Sequence, residues 1–130
     1  MLSSGYYDAY YGKAQQVRGV VSETYSKLFE TYDLICSPTA PTTAFAKGAH
    51  LDDPMTMYLS DIATIPVNLA GLPALSLPCG LDANGLPIGF QMVGSWFDEL
   101  RLLQVAHVVE KAVQFKPMHV FDYEGVLNAI

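Results

Sequence analysis

Apolar side chains recur along this chain at three different spacings, and each spacing predicts a different element. Over residues 6–32 the positions Tyr7, Tyr10, Ala14, Val17, Val21, Tyr25, Leu28 and Tyr32 fall three and four apart, the stripe of a long amphipathic helix. Gly12 and Gly19 interrupt it, each at a cost of about 1 kcal/mol relative to Ala, and are expected where another element packs close. Tyr6, Tyr7, Tyr10 and Tyr11 crowd its start with more rings than one stripe can bury. Cover from more than one side is therefore expected. Leu34, Ile35 and Cys36 then form a short continuous apolar run, read as a buried strand that Pro38 and Pro41 bring to an end. Residues 37–53 carry Pro, Thr, Ala and Gly without a period and read as loop.

The second half alternates between the two periodicities. Asp53-Pro54 has the form of an N-cap followed by proline in the first helical turn, and Met55, Tyr58, Leu59 and Ile62 give the short helix behind it one apolar face. Pro66 closes that helix, and a further turn or two over 68–72 ends at Gly71. Residues 74–80 and 87–93 read as strands joined by Asp82-Ala83-Asn84-Gly85, in which Asn-Gly is a strong hairpin signal. Leu75 and Leu77 would share one face, as would Ile88, Phe90 and Met92. Pro73 and Pro78 have no N–H to donate, so the first of these strands must tolerate gaps in its ladder. Ser95 or Asp98 can cap a last helix reaching to about Phe115, with Leu102 or Leu103, Ala106, Val109 and Val113 inward. Helix, strand, helix, hairpin, helix predicts an α/β unit with helices covering strands.

Composition changes the picture in two ways. With 130 residues, 51% of them hydrophobic and only 15% charged, the chain can bury a real core and is not a disordered segment. The low charge, against a usual quarter, points to a piece of a larger core. The net charge of −6 makes this unit a poor nucleic-acid binder on its own, because such binding rests on cations at phosphates. No apolar run approaches the ~18 residues of a membrane span and the N-terminus lacks a basic signal-peptide start, so a cytoplasmic protein is expected. Cys36 and Cys79 stand in apolar strand-like stretches with no CxxC spacing, and are expected to be buried reduced thiols.

The familiar catalytic signatures are missing: there is no GxSxG, HExxH, GxxxxGK or GxGxxG. Ser3-Ser4-Gly5 reads as the approach to the first helix. His50, His107 and His119 share no spacing that suggests a metal site or a triad, and His107, beside the apolar stripe of the last helix, is expected to pack there or to lie at its rim. One carboxylate stands out. Asp61 is the sole charged residue across 54–81, and a carboxylate set in apolar sequence is expensive unless donors or a cation satisfy it. Spacing leaves two readings open: Asp61 caps the next turn by accepting backbone N–H groups, or it holds a cationic ligand group such as an ammonium.

Three stretches carry a family resemblance: YDAYYGKAQQVR at 7–18, LDDPMTMYLSDIATIPVNLAGLPALSLPCG at 51–80, and GLPIGFQMVG at 85–94. Together they resemble the C-terminal part of amidase-signature enzymes. The DDPMTMYLSD block and the YDAYYGKAQQVR helix are similar, more narrowly, to the glutaminase A subunits of tRNA-dependent amidotransferases. The resemblance implies that residues 1–130 are an incomplete amidase-signature domain, the C-terminal portion of an α/β/α fold with a mixed sheet. In that family the catalytic serines and lysine lie in an upstream GGSSGGS-like run, which this sequence does not contain, so the chain alone is expected to be inactive and to need the N-terminal part of the domain.

Asp61 matches the carboxylate that holds the α-ammonium of glutamine. The parent enzyme would hydrolyse glutamine and pass ammonia on for the conversion of Glu-tRNA(Gln) to Gln-tRNA(Gln). The implied partners are the B and C subunits, with tRNA met only through them and no membrane. The implied cofactors are none for this chain, with ATP and Mg bound by a partner subunit. Two alternatives remain: another amidase-signature hydrolase acting on a small amide, and a purely structural packing fragment.

Overall fold

A computed structural model describes residues 10–46, 48–49 and 53–116. Helix α1 (Gly12–Phe29) leads into strand β1 (Leu34–Pro38); after the loop come two short helices, α2 (Pro54–Ser60) and α3 (Ile65–Ala70), then the hairpin β2 (Ala74–Leu81) and β3 (Pro87–Gly94), and helix α4 (Glu99–Val113). The sheet order is β1-β3-β2, antiparallel at both junctions. The hairpin closes where the sequence places it: Gly85 takes a φ of 80° and donates its N–H to the Asp82 carbonyl at 3.0 Å, a left-handed position that suits glycine. The expected gap also occurs, as a register shift between Pro78 and Gly80.

Alternation along β3 builds a core on each face of the sheet. On one face Met92, fully buried, packs with Leu102 and Ala106 of α4, flanked by Leu34, Leu75, Leu77 and Phe90. On the other, Val93 packs with Val67, Ala70 and Leu72 of the α3 region, flanked by Val21, Tyr25 and Phe29 of α1, Ile35 and Trp96. The result is a sheet with helices on both faces, the α/β arrangement the sequence predicts. The turn that follows α3 is set by a residue with a special backbone. Gly71 ends it with φ 70° and ψ 38°, after which Leu72 N–H bonds back to Val67 O at 3.2 Å, the αL stop that glycine favours. Trp96 Nε1 donates to Ala70 O at 3.1 Å and Trp96 meets Phe29 edge-on with centroids 6.4 Å apart, tying the helix end to α1.

Several expectations need correction. The inward stripe of α1 is Val21, Tyr25 and Phe29; Leu28 and Val17 are exposed, because the helix turns its aromatic edge and not its leucine to the sheet. Gly19 meets no atom within 4 Å of where a Cβ would stand, so it marks no close packing among the described residues. Leu102 is the inward choice on α4, whereas Leu103 is exposed. That helix ends at Val113, with Gln114 left-handed at φ 49°. The cysteines are free, but Cys36 is exposed and Cys79 half-exposed: α4 packs on β2 and β3 while Cys36 is on β1, and Cys79 stands at the register shift between Pro78 and Gly80. The apolar face of α2 packs on no described element: Met55, Tyr58, Leu59 and Ile62 are all exposed. Ser3-Ser4-Gly5, Tyr6, Tyr7, His50 and His119 lie outside the described residues.

Candidate functional site

Asp61 stands where α2 ends. That helix begins as predicted: Asp53 Oδ1 accepts the N–H groups of Met55 and Thr56 at 3.1 and 3.2 Å, and the Thr56 hydroxyl bonds Asp53 Oδ2, with Pro54 filling the first helical position. Asp61 is the C-cap, with φ −102° and ψ 9°, and its N–H reaches Tyr58 O at 3.3 Å. Its carbonyl oxygen accepts from Thr64 N–H at 3.0 Å and Ile65 N–H at 2.9 Å, and from the Thr64 hydroxyl at 3.2 Å. The backbone of Asp61 thus caps the next helix, while the carboxylate does not. The side chain is exposed and makes no hydrogen bond or ion pair with a described residue. It also sits at the carbonyl end of a helix, the end that disfavours negative charge. Local structure therefore offers this carboxylate no partner and a mildly unfavourable field.

The turn that presents Asp61 is fastened to the sheet by one side chain. Gln91, on β3, is 5% exposed; its Nε2 donates to Ala63 O at 3.0 Å and to Ser37 Oγ at 3.2 Å. Ser37, Gln91 and Ser76 lie directly across from one another on β1, β3 and β2, so this face of the sheet carries a polar row beside its apolar core. The next row continues it. Thr39 Oγ1 and Ser76 Oγ are 2.5 Å apart, and Thr39 N–H bonds Gly89 O at 3.0 Å. These hydroxyls crowd over Gly89, where a Cβ would meet Thr39 Oγ1 at 2.6 Å. An open groove of about 450 Å³ runs here, lined by Thr39, Pro41, Thr43, Ser76, Ile88 and Gly89 among others; Asp61 does not line it.

At the hairpin end, Asp82 accepts the Thr43 hydroxyl at 2.6 Å and the N–H groups of Asn84 and Leu86 at 2.8 and 2.9 Å. The Thr43 hydroxyl, then the Leu86 N–H, hold its carboxyl below the ordinary value, because both bond the charged form. This carboxylate is fully engaged in closing a turn. His107 is exposed on α4, its Nδ1 3.7 Å from Glu110 Oε2, which is the rim and not the packing alternative. No group of three or more potential metal ligands gathers among the described residues, and no described helix is long and apolar enough to cross a membrane.

Sequence reasoning singled out Asp61 and missed Gln91, Ser37, Thr39 and Ser76. The signal for Gln91 was present: it is the polar member of an otherwise apolar strand, at a position whose neighbours Met92 and Val93 are both core.

Comparison with known proteins adds a second line. The profile of the family described as Amidase matches residues 1–103. The chain is 60% identical over 113 residues to the A subunit of glutamyl-tRNA(Gln) amidotransferase from Synechococcus sp. (strain CC9605), covering 87% of this chain and 23% of that protein. It is 57% identical over 124 residues to the corresponding protein of Lysinibacillus sphaericus (strain C3-41), covering 95% and 25%. Among solved structures, the A subunit of glutamyl-tRNA(Gln) amidotransferase from Thermotoga maritima superposes with a TM-score of 0.76 at 45% identity, over 83% of this chain and 24% of that one. The 6-aminohexanoate cyclic dimer hydrolase superposes at 0.65 with 28% identity, over 90% and 27%. The chain thus spans about a quarter of the length of these relatives.

Proposed function

Because the chain belongs to the amidase family, we propose that it forms part of the glutamine-hydrolysing A subunit of a tRNA-dependent amidotransferase, where Asp61 binds the α-ammonium of glutamine. The observation that supports this parentage most directly is identity: 60% to such a protein against 28% to the cyclic dimer hydrolase. The reading of Asp61 is supported by its geometry. A carboxylate that caps nothing, faces outward and sits beside helix carbonyls suits an ammonium, which donates to carboxylate and carbonyl oxygens alike.

In this proposal the present chain supplies a wall of the glutamine pocket and strands of its sheet. The remainder of the amidase domain supplies the nucleophile. Its serine attacks the side-chain amide carbon of glutamine, the C–N bond breaks and ammonia leaves, and water then cleaves the acyl-enzyme to glutamate. The B and C subunits complete the complex, and tRNA is contacted through them. ATP and Mg serve the partner subunit that activates the glutamate on Glu-tRNA(Gln), and the setting is the cytoplasm.

The test is Asp61→Asn in an intact amidotransferase that carries this segment, assayed with both nitrogen donors. Losing the charged partner of a buried ammonium costs ~2–5 kcal/mol, so kcat/KM for glutamine should fall by about two orders of magnitude. Amidation from free ammonia should stay near the wild-type rate, because it bypasses the glutamine pocket. Unchanged glutamine kinetics would remove Asp61 from the site. Glutaminase activity that ignores the partner subunits would favour a free-standing small-amide hydrolase.

A further inference from the structure

Gln91 is buried, carries no charge and lies on a different element from Asp61, yet it reaches the turn that presents Asp61. Within that turn the Asp61 carbonyl takes three bonds, and Thr64 O takes the Asn68 N–H at 3.1 Å and Asn68 Nδ2 at 3.0 Å. The segment 61–65 is therefore stiff within itself. Its tie to the sheet is the bond from Gln91 Nε2 to Ala63 O at 3.0 Å, two residues from Asp61. The other Nε2 bond, to Ser37 Oγ, fixes the amide against β1, so a single NH2 group joins the central strand, the edge strand and the turn.

We propose that Gln91 is a positioning residue for glutamine recognition: it sets the Asp61 carboxylate by clamping the carbonyl of Ala63 to β3. The inference rests on the proposed role of Asp61 and adds the residue through which the sheet controls it. The C-terminal side of the turn continues into α3, which buries Val67 and Ala70 against Val93, so release of the Ala63 carbonyl frees the turn on its Asp61 side, and displacement of a binding group by even ~1 Å can cost up to about a hundredfold in rate. The loss of one net hydrogen bond, about 1 kcal/mol, sets a scale nearer fivefold.

The experiment uses the intact amidotransferase with Gln91→Met, which keeps the volume and removes the donor, and Gln91→Asn, which keeps the amide on a stem one methylene too short to reach Ala63. Both should raise the KM for glutamine about fivefold, with little change in kcat and none in ammonia-dependent amidation. Asp61→Asn is measured beside them, and so is Asp61→Asn combined with Gln91→Met. If Gln91 acts through Asp61, the double variant is no worse for glutamine than Asp61→Asn alone. Independent, multiplying effects overturn the inference, as does a normal glutamine KM in both Gln91 variants. A parallel fall in the ammonia-dependent rate makes Gln91 a residue of stability and overturns it too. A normal KM in Asp61→Asn strikes instead at the reading on which the inference rests, and the two failures are told apart in one set of assays.

Discussion

Replacing Gly89 by alanine asks whether the hydroxyl row on the sheet is as tight as its distances indicate. A methyl group at this position would stand 2.6 Å from Thr39 Oγ1, 2.9 Å from Thr39 Cβ and 3.0 Å from Ser76 Oγ. Rotating Thr39 about χ1 relieves the first contact at the expense of its bond to Ser76, but leaves the second, because Cβ does not move with χ1. Relief of that contact needs a shift of the Thr39 backbone, which is bonded through its N–H to the carbonyl of Gly89 itself. Overpacking of this kind costs about 1–3 kcal/mol. With a urea dependence of ~1–3 kcal/mol per molar, the unfolding midpoint should drop by roughly 1 M. Thr39→Gly removes the two nearest of the three atoms and leaves Ser76 Oγ, so Gly89→Ala should cost much less in that background, with a coupling of at least ~1 kcal/mol in the double-mutant cycle. Strictly additive effects, or a midpoint unmoved by Gly89→Ala alone, would refute the account of this glycine.

Other expectations follow from single contacts. Asp82 titrates below its ordinary value in the folded chain, so its contribution to stability is full above the unfolded pKa and is lost as pH falls through the folded one. Thr43→Ala should move the folded pKa back up, and an NMR titration of the Asp82 carboxyl carbon that shows no movement would count against the Thr43 bond. Both cysteines should react with a thiol reagent without denaturant, Cys36 faster than the half-exposed Cys79, whose Sγ donates to Ile88 O at 3.5 Å; mass spectrometry reads the order directly. Leu102→Ala should cost ~2–5 kcal/mol because its side chain is buried against Met92. Leu103→Ala, one residue on, should leave the melting temperature nearly unchanged, and equal effects would mean that α4 is rotated from its described register.

The elements were legible where local chemistry decides them. Asp53-Pro54, Gly71 and the Asn84-Gly85 turn each have one good solution for the backbone, and the structure adopts it. What sequence could not settle was which of two adjacent apolar residues turns inward. Leu28 and Phe29, or Leu102 and Leu103, differ by a rotation of about 100° about the helix axis, and tertiary packing chooses between them. Cys36 is exposed for a related reason: a strand residue is buried only if something covers its face, and α4 packs on β2 and β3 while Cys36 is on β1. Asp61 was legible as an anomaly of charge in apolar sequence. Its anchor was not, because nothing in the spacing of 61–64 and Gln91 indicates that the two meet.

The strand order carries a consequence for how the sheet can be broken. β3 lies between β1 and β2 and is the last of the three along the chain, and the outer strands share no ladder with each other. A polypeptide that stops before Pro87 therefore lacks every described strand pairing, not one pairing of two, although two strands in three are present. It also lacks the Gln91 clamp and both residues, Met92 and Val93, around which the two cores form. During synthesis β1 must wait for β3, its end at Pro38 lying opposite Phe90 and its start at Leu34 opposite Gly94, a long loop to close before this ladder forms. The hairpin needs only its own turn. In the direction of translation neither described pairing can therefore begin until β3 is made, and the local one then has the shorter loop to close.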